Sequence, residues 1–311
     1  LLKNMPRVRK ENRMYLHIDG GTTNTRVTYS DGKHFSLCAS SHVGAGNNAH
    51  LAEFVRETLA VNASEGDIIL ASGMIGSKLG LCEIPHLPTP AGISELHDGI
   101  RKVFLPEVSP YAIHFIPGVK NASERLQNTD VMRGEETELY GLCDSAEADA
   151  LYLLPGTHTK SIRTDEHGRI SDFCTYLSGE LISALHKSTI LGNSFEFYEE
   201  TDPDFLCQGY ELCENAGINR ALFKGRVLDT TFGCSSKQVY SYLLGAVLHD
   251  EIKNLAAAGA KKYIFGGKKE LREPEKYLLE KYFRIQAFCP PEEICTTAAA
   301  RGAVKIFEKN I

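Results

Sequence analysis

The chain has 311 residues, of which 42% are hydrophobic and 24% charged, with a formal net charge of −6 at pH 7. That balance belongs to a globular protein able to bury a sizeable core, and the length suits two domains at roughly 150 residues each. A net acidic surface has no broad positive field, so neither a nucleic acid nor an anionic membrane is expected as a partner.

Residues 1–13 are short and basic (Lys3, Arg7, Arg9, Lys10, Arg13). They lack the apolar run of about 7–15 residues that a signal peptide needs, and read as a leader before a strand starting near Met14. No stretch approaches the ~18 apolar residues of a transmembrane helix. The nine cysteines (Cys38, Cys82, Cys143, Cys174, Cys207, Cys213, Cys234, Cys289, Cys295) are odd in number and never form a C-x-x-C pair. Reduced thiols in a cytoplasmic protein are expected, and a zinc site is not.

In chain order, residues 15–19 read as a short buried strand, Gly20 to Asn24 as a tight loop, and residues 25–30 as a returning strand. Asp31-Gly32 turns the chain into a third strand at 34–40. A helix is predicted over 49–61, and the next strand, Ile68-Ile69-Leu70, runs into Ala71-Ser72-Gly73. Further helices are predicted over 92–103, 178–191, 236–258 and 297–309, each with apolar residues three and four apart.

The opening unit has a counterpart later in the chain. Residues 150–154 form a buried strand, Pro155-Gly156-Thr157-His158 a loop and 159–164 a returning strand, after which His167-Gly168 leads into a strand at 170–176. Gly21-Thr22 and Gly156-Thr157 lie 135 positions apart, and the turn glycines Gly32 and Gly168 lie 136 apart. Two such units, one in each half, are what a duplicated nucleotide-binding fold would show, although similar hairpins also arise by chance. The mixture of strands and helices argues an α/β fold. The acidic, small-residue stretch at 143–149 marks the boundary between a domain at 14–147 and one at 148–296, with the helix from 297 to 311 returning to the first.

Asp19-Gly20-Gly21-Thr22-Thr23-Asn24 combines a strand-end carboxylate with glycines and hydroxyls. Glycines let the backbone approach an anion, successive N–H groups make a concave anion site, and the acid can hold Mg²⁺ beside the same phosphates. The alternative is a hairpin whose Gly-Gly only serves the turn. Gly156, Thr157, His158, Thr159 and Lys160 offer glycine, hydroxyls and a cation without the acid. No Walker loop is present. Gly44-Ala45-Gly46-Asn47-Asn48-Ala49 fits the spacing of a dinucleotide fingerprint, but no acidic residue ends the next strand, and a helix start explains it.

Several segments together resemble one family over almost the whole chain. Asp19 to Arg26 is similar to the family's D-W-G-T-T-N-x-R, Ala71 to Lys78 to its A-S-G-M-I-G-S-R, and Pro90-Ala91-Gly92 to its P-A-G. Met132-Arg133-Gly134-Glu135-Glu136-Thr137 matches M-R-G-E-E-T, Leu154 to Lys160 is similar to L-P-G-T-H-S-K, and Ser178-Gly179-Glu180-Leu181 follows. Weaker echoes fall at Ser241-Tyr242-Leu243 and Gly266-Gly267. The chain therefore resembles the 2-dehydro-3-deoxygalactonokinase family.

The resemblance implies a two-domain actin-like (ribonuclease H-like) ATPase fold with an interdomain cleft. It also implies ATP-dependent phosphorylation of the terminal 6-hydroxyl of 2-dehydro-3-deoxy-D-galactonate, in galactonate catabolism. By the same carry-over Asp19 handles Mg²⁺, Gly21, Thr22, Thr23 and Asn24 cradle phosphates, Gly156 to Thr159 form a second phosphate loop, and Gly266 and Gly267 lie beside the adenosine. The base that accepts the hydroxyl proton comes from Asp130, Glu135 or Glu136, with Glu135 favoured because it stands in the matching motif; Glu135 and Glu136 would equally suit the first turn of a helix.

A sugar-acid carboxylate needs a guanidinium, an ammonium or a helix N-terminus, for which Arg133, Lys78 and the Ser72-Gly73-Met74 segment are candidates. Two departures concern the substrate end: Gly20 stands where the family has Trp, and Lys78-Leu79-Gly80-Leu81 where it has R-Q-G-W. A kinase of another sugar acid or sugar, or a non-catalytic nucleotide-binding sugar sensor, are the alternatives. A homodimer is compatible with this reading.

Overall fold

The computed structural model describes residues 13–121, 123 and 125–309; the leader expected before Arg13 lies outside the described residues. In chain order the elements are β1 (Tyr15–Gly20), β2 (Thr25–Ser30), β3 (Phe35–Ser41), α1 (Asn48–Asn62), β4 (Ile68–Gly73), β5 (Leu87–Pro88), α2 (Ile93–Gly99), β6 (Arg101–Val103), β7 (Ile113–Phe115), β8 (Val119–Lys120), β9 (Val131–Met132) and α3 (Glu135–Leu142). They continue as β10 (Ala150–Leu154), β11 (Thr159–Thr164), β12 (Ile170–Tyr176), α4 (Ser178–Ser188), α5 (Pro203–Ala216), α6 (Ile218–Thr230), α7 (Ser236–Ala257), β13 (Lys262–Phe265), α8 (Lys269–Phe283) and α9 (Glu292–Glu308).

Two compact units result. Unit 1 comprises the described parts of Leu1–Asp149, Arg163–Phe173 and Pro290–Ile311, and unit 2 comprises Ala150–Ile162 and Cys174–Cys289.

Unit 1 is built on a six-stranded sheet in the order β3-β2-β1-β4-β7-β6. β1 pairs antiparallel with β2 and parallel with β4, so both its edges are hydrogen-bonded within the sheet. Leu16 and Ile18 point to the side where Leu51, Val55 and Leu59 of α1 close the core with Val27, Ile69 and Phe115. On the opposite face α9 supplies Phe307, edge-on to Tyr15 and His114, and Glu308, which accepts a hydrogen bond from the Tyr15 hydroxyl at 2.6 Å.

Small residues let α9 lie almost in contact with the α3 backbone. A methyl on Gly302 would overlap the Thr137 carbonyl, and one on Gly141 would overlap the Ala298 carbonyl. Close helix approach of this kind multiplies dispersion contacts that a larger side chain would hold apart.

In unit 2 the sheet order is β12-β11-β10-β13, with β10 and β13 parallel. α7 is the central helix, and its Leu243, Leu244, Leu248 and Ile252 are fully buried. It meets α5 by the same device, since methyls on Gly209 and Gly245 would overlap the Tyr242 and Leu206 carbonyls.

The helix expected over 92–103 is shorter. It ends at Gly99, and Arg101–Val103 is instead an edge strand on β7. Glycine terminates helices readily, and here a methyl at 99 would sit 2.9 Å from Pro117 and 3.0 Å from Leu87. α9 starts at Glu292 rather than 297, directly after Pro290-Pro291, with Glu292 and Glu293 in its first turn. All nine cysteines are thiols. Among the described residues no helix is long and apolar enough to cross a membrane.

Candidate active site

The end of β1 sets the first loop, in unit 1. Strand register places Asp19 opposite Arg26 on β2 and Ser72 on β4, and Gly20 opposite Gly73. The following loop closes through the Gly21 N–H, which donates to the Asn24 carbonyl at 2.8 Å, leaving Thr22, Thr23 and Asn24 exposed. Its back is held by the segment with dinucleotide-like spacing: the Ala45 N–H donates to the Gly21 carbonyl at 3.0 Å and the Gly46 N–H to the Thr22 carbonyl at 3.1 Å. A methyl on Gly44 would overlap the loop backbone. The Gly44-Ala45-Gly46 segment is thus a buttress for the loop. The Asn24 carboxamide is steered by His42 Nδ1 at 2.9 Å.

Next to it lies the turn from β9 into α3. Gly134 has φ of 114°, a conformation that suits glycine, and a methyl there would meet Gly73 Cα at 3.1 Å. Gly73 itself has φ of 85° and faces the Gly20 carbonyl. Three glycines from three motifs stack backbone on backbone, which brings Glu135 within electrostatic reach of Asp19. Burial raises the Asp19 pKa, the Arg26 cation opposes that, and the Glu135 charge adds to it.

Each carboxylate thus lies in the field of the other, a setting in which a cation would be favoured. Among the described residues no group of three or more His, Cys, Asp or Glu forms a ready-made cluster.

Glu136 is fully buried, and both its carboxyl oxygens lie 2.8 Å from the Gly134 N–H. Burial, followed by the Glu135 charge, pushes its pKa up to about 8. Glu135 Oε2 accepts the Arg133 N–H at 3.0 Å, and Asp130 Oδ1 accepts the Val131 N–H at 2.7 Å.

Arg133 Nη2 donates to the Ile84 carbonyl at 2.6 Å and faces the His86 ring at 3.2 Å, while Nη1 is buried without a hydrogen-bond partner. His86 is pushed down to about 4 by burial and by the Arg133 charge, and so meets the guanidinium as a neutral ring.

Of the other substrate candidates, Ser72 is buried with its hydroxyl bound to His17 Nε2 at 2.9 Å. The Met74 carbonyl is taken by Ser77, and Lys78 is exposed beside the exposed Leu79. A methyl on Gly20 would lie 2.6 Å from Ile75 Cβ, so the bulky side chain of the family motif has no room here.

In unit 2 the second loop is assembled from three stretches. A methyl on Gly179 would overlap the Gly156 carbonyl, and the Glu180 N–H donates to the Thr157 carbonyl at 2.8 Å, so the start of α4 seats the loop. Gly267, with φ of 64°, lies against Pro155, and the Lys268 N–H donates to the Pro155 carbonyl at 3.0 Å. Gly266 joins through its N–H to the Leu153 carbonyl at 2.9 Å. Gly156 has open space where a side chain would be, Thr157 is exposed, His158 pairs with Glu180 at 2.6 Å, and the Thr159 hydroxyl is buried without a partner. Lys160 is buried, with Nζ 3.5 Å from the His158 carbonyl.

A family model described as 2-keto-3-deoxy-galactonokinase matches residues 19–301, a span that holds both glycine-threonine loops and the Arg133–Glu136 turn. This chain belongs to that family. It is a carbohydrate kinase, and its relatives point to a sugar acid as acceptor. The 2-dehydro-3-deoxygalactonokinase of Escherichia coli (strain K12) is 30% identical over 244 residues, covering 78% of this chain and 80% of the relative.

The crystal structure of a putative 2-dehydro-3-deoxygalactonokinase protein from Sinorhizobium meliloti superposes with a TM-score of 0.75 at 25% identity, covering 94% of this chain and 99% of the other. The activator of 2-hydroxyisocaproyl-CoA dehydratase from Clostridium difficile, at 9% identity and a TM-score of 0.52 over 95% of each chain, shares the fold alone. The kinase has the expected α/β, actin-like (ribonuclease H-like) fold.

Sequence reasoning singled out the loops and the Arg133–Glu136 turn of the kinase but missed His17, His86 and Thr137. His17 and His86 stand alone among other residue types in sequence. Only the fold brings them to Ser72 and Arg133.

Proposed function

We propose that this kinase transfers the γ-phosphoryl group of ATP to the 6-hydroxyl of 2-dehydro-3-deoxy-D-galactonate, giving the 6-phosphate and ADP, as a step of galactonate catabolism in the cytoplasm. The observation that carries the reading is the stack of Gly20, Gly73 and Gly134, which brings Glu135 within electrostatic reach of Asp19 at the start of a glycine-threonine loop. Phosphoryl transfer asks a protein for positioning and charge neutralisation rather than covalent chemistry, and these groups supply both.

Asp19 would hold Mg²⁺, which when bound neutralises charge on the phosphates. The N–H groups and hydroxyls of Gly21 to Asn24, and those of Gly156 to Thr159 with Lys160, hold phosphate oxygens, and the Gly266-Gly267 turn takes the adenosine. Glu135, partly exposed beside Asp19, accepts the proton of the attacking hydroxyl. Glu136 is engaged with Gly134 and buried, which suits it to shape the turn. Arg133 takes the substrate carboxylate: its Nη1 is buried without a hydrogen-bond partner, and a charged guanidinium N–H makes a strong hydrogen bond to a carboxylate.

The test is a steady-state assay of ADP release with 2-dehydro-3-deoxygalactonate, ATP and Mg²⁺. Asp19→Asn should lower kcat at least about tenfold, equivalent to ~1.4 kcal/mol of transition-state stabilisation. Arg133→Lys should raise KM for the sugar acid more than KM for ATP. Unchanged kcat in Asp19→Asn removes its assigned role. The exposed Lys78-Leu79 pair at the point of departure from the family motif favours one second reading, a different sugar acid as acceptor, and a substrate panel in the same assay decides it.

A further inference from the structure

Beneath the carboxylate pair runs a chain of buried polar groups to which the reaction as proposed gives no role. His17 on β1 has Nε2 at 2.9 Å from the Ser72 hydroxyl on β4, and that oxygen lies 3.3 Å from the Thr137 hydroxyl on α3. Thr137 in turn donates to the Gly134 carbonyl at 2.6 Å. His17, Ser72 and Thr137 are all buried.

The direction of this chain follows from its ends. His17 Nδ1 is buried and has no hydrogen-bond partner. A buried N–H without an acceptor is rarer and costlier than a bare lone pair, so the ring proton belongs on Nε2, where Ser72 can accept it. Ser72 then has its own proton free for Thr137, and Thr137 passes its proton to a carbonyl, which can only accept. A donor at one end and an acceptor at the other fix both hydroxyl rotors.

The carbonyl at the end of the chain belongs to the residue on which the site pivots. Gly134 touches Gly73, its N–H is held by Glu136, and the next residue is Glu135. Ser72, in the middle, stands in register with Asp19.

We propose that His17, Ser72 and Thr137 form a one-directional hydrogen-bond relay that fixes the Gly134–Glu135 turn against Asp19, making His17 and Thr137 positioning residues for phosphoryl transfer. The inference rests on the roles given above to Asp19 and Glu135. It extends the site to residues that touch neither nucleotide nor sugar acid.

The decisive variant is Thr137→Val, which keeps the shape and removes the hydroxyl, set beside Thr137→Ser, which restores it. In the full-length enzyme Thr137→Val should lower kcat about tenfold while KM for ATP stays within about twofold, and Thr137→Ser should recover kcat to within about twofold of wild type. A merely structural role would instead lower the melting temperature and the apparent activity with each substrate alike. Retention of kcat in Thr137→Val, or no recovery in Thr137→Ser, overturns the proposal.

Two measurements judge it without turnover, so that an acceptor wrongly assigned does not decide the matter. Nitrogen-15 spectra of the imidazoles should show His17 as the Nε2–H tautomer, and the Nδ1–H form overturns the stated direction. Amide hydrogen exchange at residues 137 and 138, whose N–H groups share the Gly134 carbonyl, should quicken in Thr137→Val, and unchanged exchange there counts against the relay.

Discussion

A buried carboxyl group makes the pH dependence of this protein legible at single residues. Glu136 has an ordinary pKa of 4.5 and one of about 8 in the fold, because burial and the neighbouring Glu135 charge disfavour its anion. Glu251 is raised to about 7 by burial, with the Ser178 hydroxyl donating to its Oε2, and Glu275 is raised by burial and by Glu251. For an acid whose pKa rises on folding, the native state binds the extra proton. Stability is then fully present below about pH 4.5 and falls as pH climbs towards the folded value.

Each such group costs up to about 1.4 kcal/mol per pH unit inside its window. We therefore expect the unfolding free energy of the wild type to decline from about pH 5 to about pH 8, and Glu136→Gln to decline less steeply. Equal slopes in denaturant titrations would contradict the assignment. Glu135, one position earlier in the same motif, is partly exposed and faces Asp19. Sequence reading favoured Glu135 as the base from the motif alone, whereas burial is what separates the two adjacent carboxylates physically.

At the scale of elements, the strands were the legible part. The spans expected at 25–30, 150–154, 159–164 and 170–176 coincide with β2, β10, β11 and β12. They are short apolar or alternating runs bounded by turn residues, and each carries its signal locally. α5 opens with Asp202 as N-cap, accepting from the Asp204 and Phe205 N–H groups, and has Pro203 in its first turn, a start signal that sequence reading can use. α8 gave no such signal, with Pro274 inside it.

What the local pattern cannot state is why glycines recur inside α3, α5, α7 and α9, where they cost helix propensity. Their reason is the backbone of the neighbouring helix. Gly302→Ala on α9 should therefore destabilise by a net ~1–2 kcal/mol despite alanine's better propensity, because the methyl meets the rigid Thr137 carbonyl. Chemical denaturation checks this, and a stabilised variant would show that the two helices yield. Through Thr137 the same substitution should also lower kcat.

For the whole molecule, the division into units is not the division of the chain. Residues 290–311 return to unit 1, where α9 covers α3 and the Tyr15 face of β1. A fragment ending at residue 149 lacks that cover. It should expose apolar surface and fail to unfold cooperatively, whereas the full chain should melt cooperatively; dye binding and melting curves of the two test this. Length and charge announced a two-domain acidic protein, and the ordered motifs announced its family, because tight glycine-rich loops are spelled out in consecutive residues. The carboxylate pair, the guanidinium with its neutral histidine and the relay from His17 to Gly134 were decided only in three dimensions. Each joins residues tens of positions apart, and the forces that define them, burial and hydrogen-bond geometry, act across space rather than along the chain.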